Sequence, residues 1–196
     1  MATVFDIARE LITRGGGSLE TLKLQKLTFY TFGWYAHLTG EQLFGEKFYA
    51  MRRGPVVGEL LSAHAGQKTA DITMIDAQRE AREDLPEELD AYTSAVLDGV
   101  WRAYGQKDSW DLVDLTHQEA VWVDAWAARP EGSGRSTLGS QHVVEYFLTR
   151  APKPGEDLDL PPAMVSLVSA EDLEAVESGA QVHVPFVQAA RSLPSR

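Results

Sequence analysis

The chain has 196 residues, 44% of them apolar and 24% charged, the make-up of a globular protein long enough to bury a core without covalent staples. It has no cysteine, which excludes disulfides, thiolate metal sites and cysteine nucleophiles. Its 29 acidic residues against 18 Lys and Arg give a formal charge of −11, a field that disfavours nucleic acid as a partner and suits a basic protein.

In chain order, Val4, Ile7, Ala8, Leu11 and Ile12 recur at helical spacing, and Thr3 with Asp6 has the spacing of a capping box. Gly15-Gly16-Gly17 stops that helix, and Ser18 is placed to cap the next. The second helix is predicted over 19–39, ending at Gly40. Its Leu22, Leu24, Leu27, Phe29, Tyr30, Trp34, Tyr35 and Leu38 wrap more than one face, so it is expected to be the central helix. "EKFYAMRR" reads as a strand broken by Gly54-Pro55, with Pro55 at the first position of a short amphipathic helix reaching Ala65. "ADITMID", 70–76, reads as the partner strand of a small hairpin, and 77–87 as a charged surface loop.

Leu89, Tyr92, Val96, Val100 and Tyr104 space as a long helix. Asp108 or Ser109 caps a short one carrying Trp110, Leu112, Val113 and Leu115. "THQEAVWVDAWAARP" gives one more, stopped by Pro130, and Ser136 is placed to cap a last helix with Leu138, Val143, Val144, Phe147 and Leu148. The proline-rich, acidic "APKPGEDLDLPPA" then reads as a linker. Beyond it "MVSLVS" and "VHVPFV" read as short strands around a helical turn, too small for a core of their own. This tail is expected to lie on the main domain, on a second copy of the chain in a homodimer, or on a partner. The expected architecture is mainly α: a compact helical domain with a small β-hairpin over 1–150, and a strand-helix-strand extension over 151–196.

The signatures of phosphate loops, nucleophile elbows, zincin helices and kinases are missing. No cofactor and no resident metal are expected, nor a catalytic residue. His117 and Glu119 could share a metal with a third ligand, which would make a metal-dependent enzyme, but they read first as a brace at a helix junction. Asp108, Asp111 and Asp114 read first as a solvated helix face. No apolar run reaches the roughly 20 residues of a membrane span, and the N-terminus lacks the basic start of a signal peptide, so a cytoplasmic protein is expected. Lys23, Lys26, Arg52 and Arg53 would form a rare basic spot on an acidic chain, a candidate partner-binding surface.

Two blocks resemble the Panacea domain, the family of SocA-like antitoxins and GepA-like phage-associated proteins. In the first, "LKLQKLTFYTFGWYAHLTGEQLFGEKFYAMRRGPVVGELLSA", the resemblance rests on Lys23, Gln25, Lys26, Tyr30, Gly33, Trp34, Tyr35, the Leu38-Thr39-Gly40 turn, Leu43, Phe44 and Gly54-Pro55-Val56-Val57. In the second, "LTHQEAVWVDAW", it rests on Leu115, Thr116, His117, Glu119, Trp122 and Ala125. Val121 stands where the family usually has proline, and Arg53 where an aromatic or polar residue more often precedes Gly-Pro. The resemblance implies a non-enzymatic antitoxin that binds a protein toxin encoded next door, or an adaptor that delivers the toxin to a AAA+ protease. It makes "GPVV" scaffold, with toxin specificity on other surfaces. Of these the tail is the leading candidate, its Val182, Val184 and Phe186 adding a strand to the toxin's sheet.

Overall fold

The computed structural model describes residues 2–82 and 88–165, and within them the chain forms eight helices and five short strands. Helix α1 (Val4–Arg14) opens with reciprocal capping: Thr3 Oγ1 accepts from the Asp6 N–H at 3.3 Å while the Asp6 carboxylate accepts from the Thr3 N–H at 2.9 Å. Ser18 does not cap the next helix. It begins strand β1 (Ser18–Glu20), which pairs antiparallel with β4 (Thr69–Asp71), Ser18 opposite Asp71. Helix α2 (Thr21–Thr39) therefore starts without a side-chain cap, and the Thr21 N–H is satisfied by the Lys68 carbonyl at 2.9 Å.

Fourteen of the nineteen residues of α2 are buried, so it is the axis of the fold. Phe29 meets Tyr30, Phe48 and Phe147 edge-on at 5.5, 6.0 and 5.5 Å, and Phe32 meets Phe44 and Phe48 at 4.9 Å, the offset geometries that aromatic quadrupoles favour. Against this axis pack α1, α5 (Ala91–Tyr104), α6 (Ser109–Thr116) and α8 (Ser140–Thr149). At Gly33 the approach of α8 is so close that a Cβ would lie 2.4 Å from the Phe147 ring. Gly33→Ala is accordingly expected to lower stability by about 1–3 kcal/mol by overpacking, measured as a drop in the urea midpoint. An unchanged midpoint would show that α8 moves aside freely.

The hairpin joins β2 (Phe48–Met51) to β3 (Gly54–Val57) through Arg52 and Arg53, and β5 (Arg135–Leu138) adds to the other side of β2. Phe48 faces Val57 on one side and Leu138 on the other. Three expectations are corrected here. Pro55 lies inside an edge strand, opposite Ala50, where its missing N–H is tolerated, and helix α3 (Gly58–Ala63) begins only after Val57. The partner of the first hairpin strand is β3, not 70–76: only Thr69–Asp71 is strand there, and Asp71 caps α4 (Ile72–Ala81), which takes up 77–81 of the expected surface loop, whose residues 83–87 lie outside the described residues. Ser136 sits in β5 rather than at a helix cap, and α8 starts at Ser140.

From 150 to 165 the described residues form neither helix nor strand, yet they stay on the domain. Leu158, Leu160 and Ala163 rest on the core, Tyr92 Oη donates to the Pro162 carbonyl at 2.8 Å, and the Met164 N–H donates to the Leu38 carbonyl at 2.7 Å. The expected tail strands, with Val182, Val184 and Phe186, lie outside the described residues. Among the described residues no helix is long and apolar enough to cross a membrane.

Candidate functional site

The "LQK" of α2 is aimed at the hairpin. Gln25 treats β3 as a further strand would: its Oε1 accepts from the Val57 N–H at 2.8 Å and its Nε2 lies 3.4 Å from the Val57 carbonyl, with His64 Nε2 at 3.0 Å. Lys26 is wholly buried, and its Nζ donates to the Pro55 carbonyl at 2.8 Å. No carboxylate pairs with it among the described residues, and burial pulls its pKa down to about 7. Gly54 completes this contact with φ +97°, and a Cβ there would lie 2.6 Å from Thr116 Oγ1 and 2.9 Å from Lys26 Nζ. The glycine is thus required twice, by backbone conformation and by space.

Lys23 is also turned inward: its Nζ donates to the Gly105 carbonyl at 2.6 Å, capping the end of α5. Burial lowers its pKa, against the pull of Glu20 and Asp108. The four bases therefore do not form one surface spot. Lys26 is buried and Lys23 is half-buried against the end of α5, while Arg52 and Arg53 are exposed at the hairpin tip.

Beside that tip, Arg52, Arg53, Trp110, Val113, Asp114 and His117 line a cleft of about 320 Å³. The Arg53 guanidinium lies over the Trp110 ring at 5.2 Å. The floor is braced by Trp122, on α7 (Ala120–Ala127): its Nε1 donates to the Met51 carbonyl at 3.2 Å and its ring stacks on His117 at 4.1 Å. His117 Nε2 has no hydrogen-bond partner among the described residues. Burial and then neighbouring Lys26 push its pKa below the ordinary value, with Asp114 acting the other way.

Glu119 serves a different structure. It is fully buried, and its carboxylate accepts from Tyr30 Oη at 3.2 Å, Tyr146 Oη at 2.6 Å, Arg150 Nε and Nη2 at 2.9 and 2.8 Å, and Lys153 Nζ at 3.0 Å. Arg150 in turn holds Glu156, which accepts from Tyr104 Oη at 2.7 Å, and Trp34 Nε1 donates to the same tyrosine at 3.1 Å. Tyr30 and Tyr104 stack at 4.2 Å. Burial alone would raise the Glu119 and Glu156 carboxyls, but the Arg150 guanidinium and the hydroxyl donors hold both below the usual range. The same carboxylate helps to push Tyr146 up to about 12, after burial itself.

His117 and Glu119 are thus given separate tasks, one stacked at the cleft and one saturated by donors in the core. No group of three His, Asp or Glu side chains with ligand spacing occurs among the described residues. Asp108 accepts from the N–H groups of Trp110 and Asp111, both at 2.8 Å, as the cap of α6. Val56 is buried in β3 between these parts. Sequence reasoning missed Arg150, Glu156, Tyr104, Tyr146 and the exposed Trp110. Only Trp110 left a signal, as the first apolar residue of a capped helix whose next apolar positions, Leu112 and Val113, turn to the core.

The model of the family described as "Antitoxin SocA-like, Panacea domain" matches residues 24–123, slightly more than half of the chain. The chain belongs to the SocA-like Panacea family. No curated protein and no solved structure matches it. The Panacea region carries α2 from Leu24 onward, the hairpin, α6, the whole cleft and Glu119, whereas Arg150, Lys153 and Glu156 lie past its end.

Proposed function

We propose that this Panacea protein is an antitoxin that neutralises a cognate protein toxin by direct binding, the toxin being the product of a neighbouring gene. The observation that carries this reading is the family match over residues 24–123. Two features agree with it. The buried carboxylates Glu119 and Glu156 are saturated by Arg150 and tyrosine donors, as in a scaffold, rather than poised around a substrate. The chain's charge of −11 favours encounter with a basic protein.

The test is a growth rescue. The neighbouring open reading frame is expressed under tight control, alone, with the full chain, and with a chain ending at Val165, which keeps the whole Arg150 network. Toxicity alone and rescue by the full chain are expected. A toxic neighbour that the full chain does not rescue would refute the pairing. Rescue accompanied by a shortened toxin half-life would replace direct neutralisation with delivery to a AAA+ protease. Loss of rescue in the shorter chain would put the contact in 166–196, including Val182, Val184 and Phe186.

A further inference from the structure

We propose that the cleft between the hairpin tip and α6 is a docking pocket for an acidic side chain of the bound protein partner, with an apolar neighbour of that side chain laid on Trp110. The inference rests on the antitoxin reading and names the place and chemistry of the contact.

Trp110 is 57% exposed, the most exposed large apolar side chain among the described residues. A tryptophan left in water next to an arginine is the composition found at the energetic centre of protein interfaces. The same ring is steadied by Arg53, so a partner would meet a pre-arranged surface rather than two loose side chains.

Charge selects the occupant. Arg9, Arg14, Arg79, Arg102 and Arg150 each have a carboxylate within ion-pair distance, whereas Arg52, Arg53, Arg82, Arg129 and Arg135 have none among the described residues, and of these only Arg52 and Arg53 are adjacent in the chain and line one cleft. On a chain with eleven more acids than bases, two neighbouring guanidinium groups without counter-ions are a local reversal of the field. Behind them lie Lys26, buried without a carboxylate, and His117, whose Nε2 is unpartnered. An arriving carboxylate would supply the missing counter-charge and accept from guanidinium donors in the planar geometry that arginine offers. Asp114 closes the opposite wall, so the pocket is not uniformly basic. It suits one acidic group with a hydrogen-bond donor or apolar residue beside it, and is ill suited to a multiply charged phosphate.

The hairpin tip also has the rigidity that a docking site needs. Trp122 holds the Met51 carbonyl, Lys26 holds Pro55, and Gln25 holds Val57, so both strands are fixed immediately behind the two arginines.

The experiment measures binding of the purified neighbouring-gene product, inactivated if needed, to the full chain by calorimetry at two salt concentrations. Arg52→Glu with Arg53→Glu is expected to weaken binding about 30-fold or more, and Trp110→Ala about 10-fold. A charge-matched control, Lys47→Glu with Lys68→Glu, is expected to stay within about two-fold, and the deficit of the arginine variant to shrink at high salt. All three positions of the test variants are exposed, and circular dichroism verifies their folding. If the wild-type chain binds and the arginine variant binds equally well, the pocket is not the contact and the antitoxin reading stands without it. If the wild-type chain does not bind, that reading falls and this inference with it. Quenching of tryptophan fluorescence by ATP or inorganic phosphate that Trp110→Ala abolishes, with displacement of the partner, would assign the cleft to a small phosphorylated ligand and overturn the proposal.

Discussion

Glu119→Ala is expected to lower the stability of the protein by about 3–5 kcal/mol, the range for removing one member of a buried ion pair and leaving the other charged. The carboxylate is wholly buried and is the meeting point of donors from α2, α8 and the segment beyond it: Tyr30, Tyr146, Arg150 and Lys153. Its loss leaves Arg150 with Glu156 alone and two tyrosine hydroxyls with no acceptor. Urea unfolding followed by tryptophan fluorescence gives the number, and a double-mutant cycle with Arg150→Met separates the pair from its surroundings. A loss below about 1 kcal/mol would mean that water replaces the carboxylate, and the network would not be what joins these elements. The pH dependence has a definite direction. The Glu119 and Glu156 carboxyls are held below their ordinary values in the folded chain, so their contribution is complete above the ordinary carboxylate value and disappears as the pH falls through the depressed ones. Glu119→Ala should therefore flatten the acid limb of the stability profile.

Lys26→Met is expected to act in the opposite sense and stabilise the protein, by about 2 kcal/mol near pH 7 after allowing for the lost hydrogen bond to Pro55. Burial lowers Lys26 from 10.5 to about 7. Between those values the unfolded chain binds a proton that the folded chain has shed, so stability rises with pH across the window and is level with respect to this group below it. From pH 7 to pH 9.5, short of the tyrosine range, the rise should be about 3 kcal/mol in the wild-type chain and absent in Lys26→Met. Parallel profiles for the two proteins would show that Lys26 is not the group responsible. Lys26→Met also separates stability from binding at the cleft, since it removes the buried amine without touching Arg52, Arg53 or Trp110.

The parts of the fold legible in the sequence were those decided by nearby residues. Thr3 and Asp6 announce α1, and the apolar wrap from Leu24 to Leu38 announces a buried central helix. Misreadings occurred where pairing across the chain overrode local preference. Ser18 looks like a cap but is claimed by Asp71 in a three-residue strand, too short to show alternation. Pro55 looks like a helix start, yet an edge strand tolerates it and Lys26 takes its carbonyl. The site divided in the same way. Gln25, Lys26, Tyr30, Gly54, His117, Glu119 and Trp122 could be singled out from motif resemblance, but not what each one touches. The four bases do not lie together, because periodicity does not tell a lysine turned to Gly105 or buried against Pro55 from one facing water. Arg150 was invisible: an arginine at a helix end is the ordinary complement of the helix dipole, and its two glutamate partners are 31 and 6 residues away.

The ionic lock between Glu119 and Arg150 sets a rule for recombining this protein with its relatives. The family boundary at residue 123 falls between the two partners, so the matched region is not a self-sufficient cassette. A chimera that takes this chain's helical core and another member's C-terminal half inherits a buried anion, and it will fold only if the incoming half brings its own cation to the same depth. Exchange downstream of Glu156 leaves these charges neutralised, but the incoming segment must still fill the places of Leu158, Leu160 and Ala163 on the core and replace the contacts of Pro162 and Met164 with Tyr92 and Leu38.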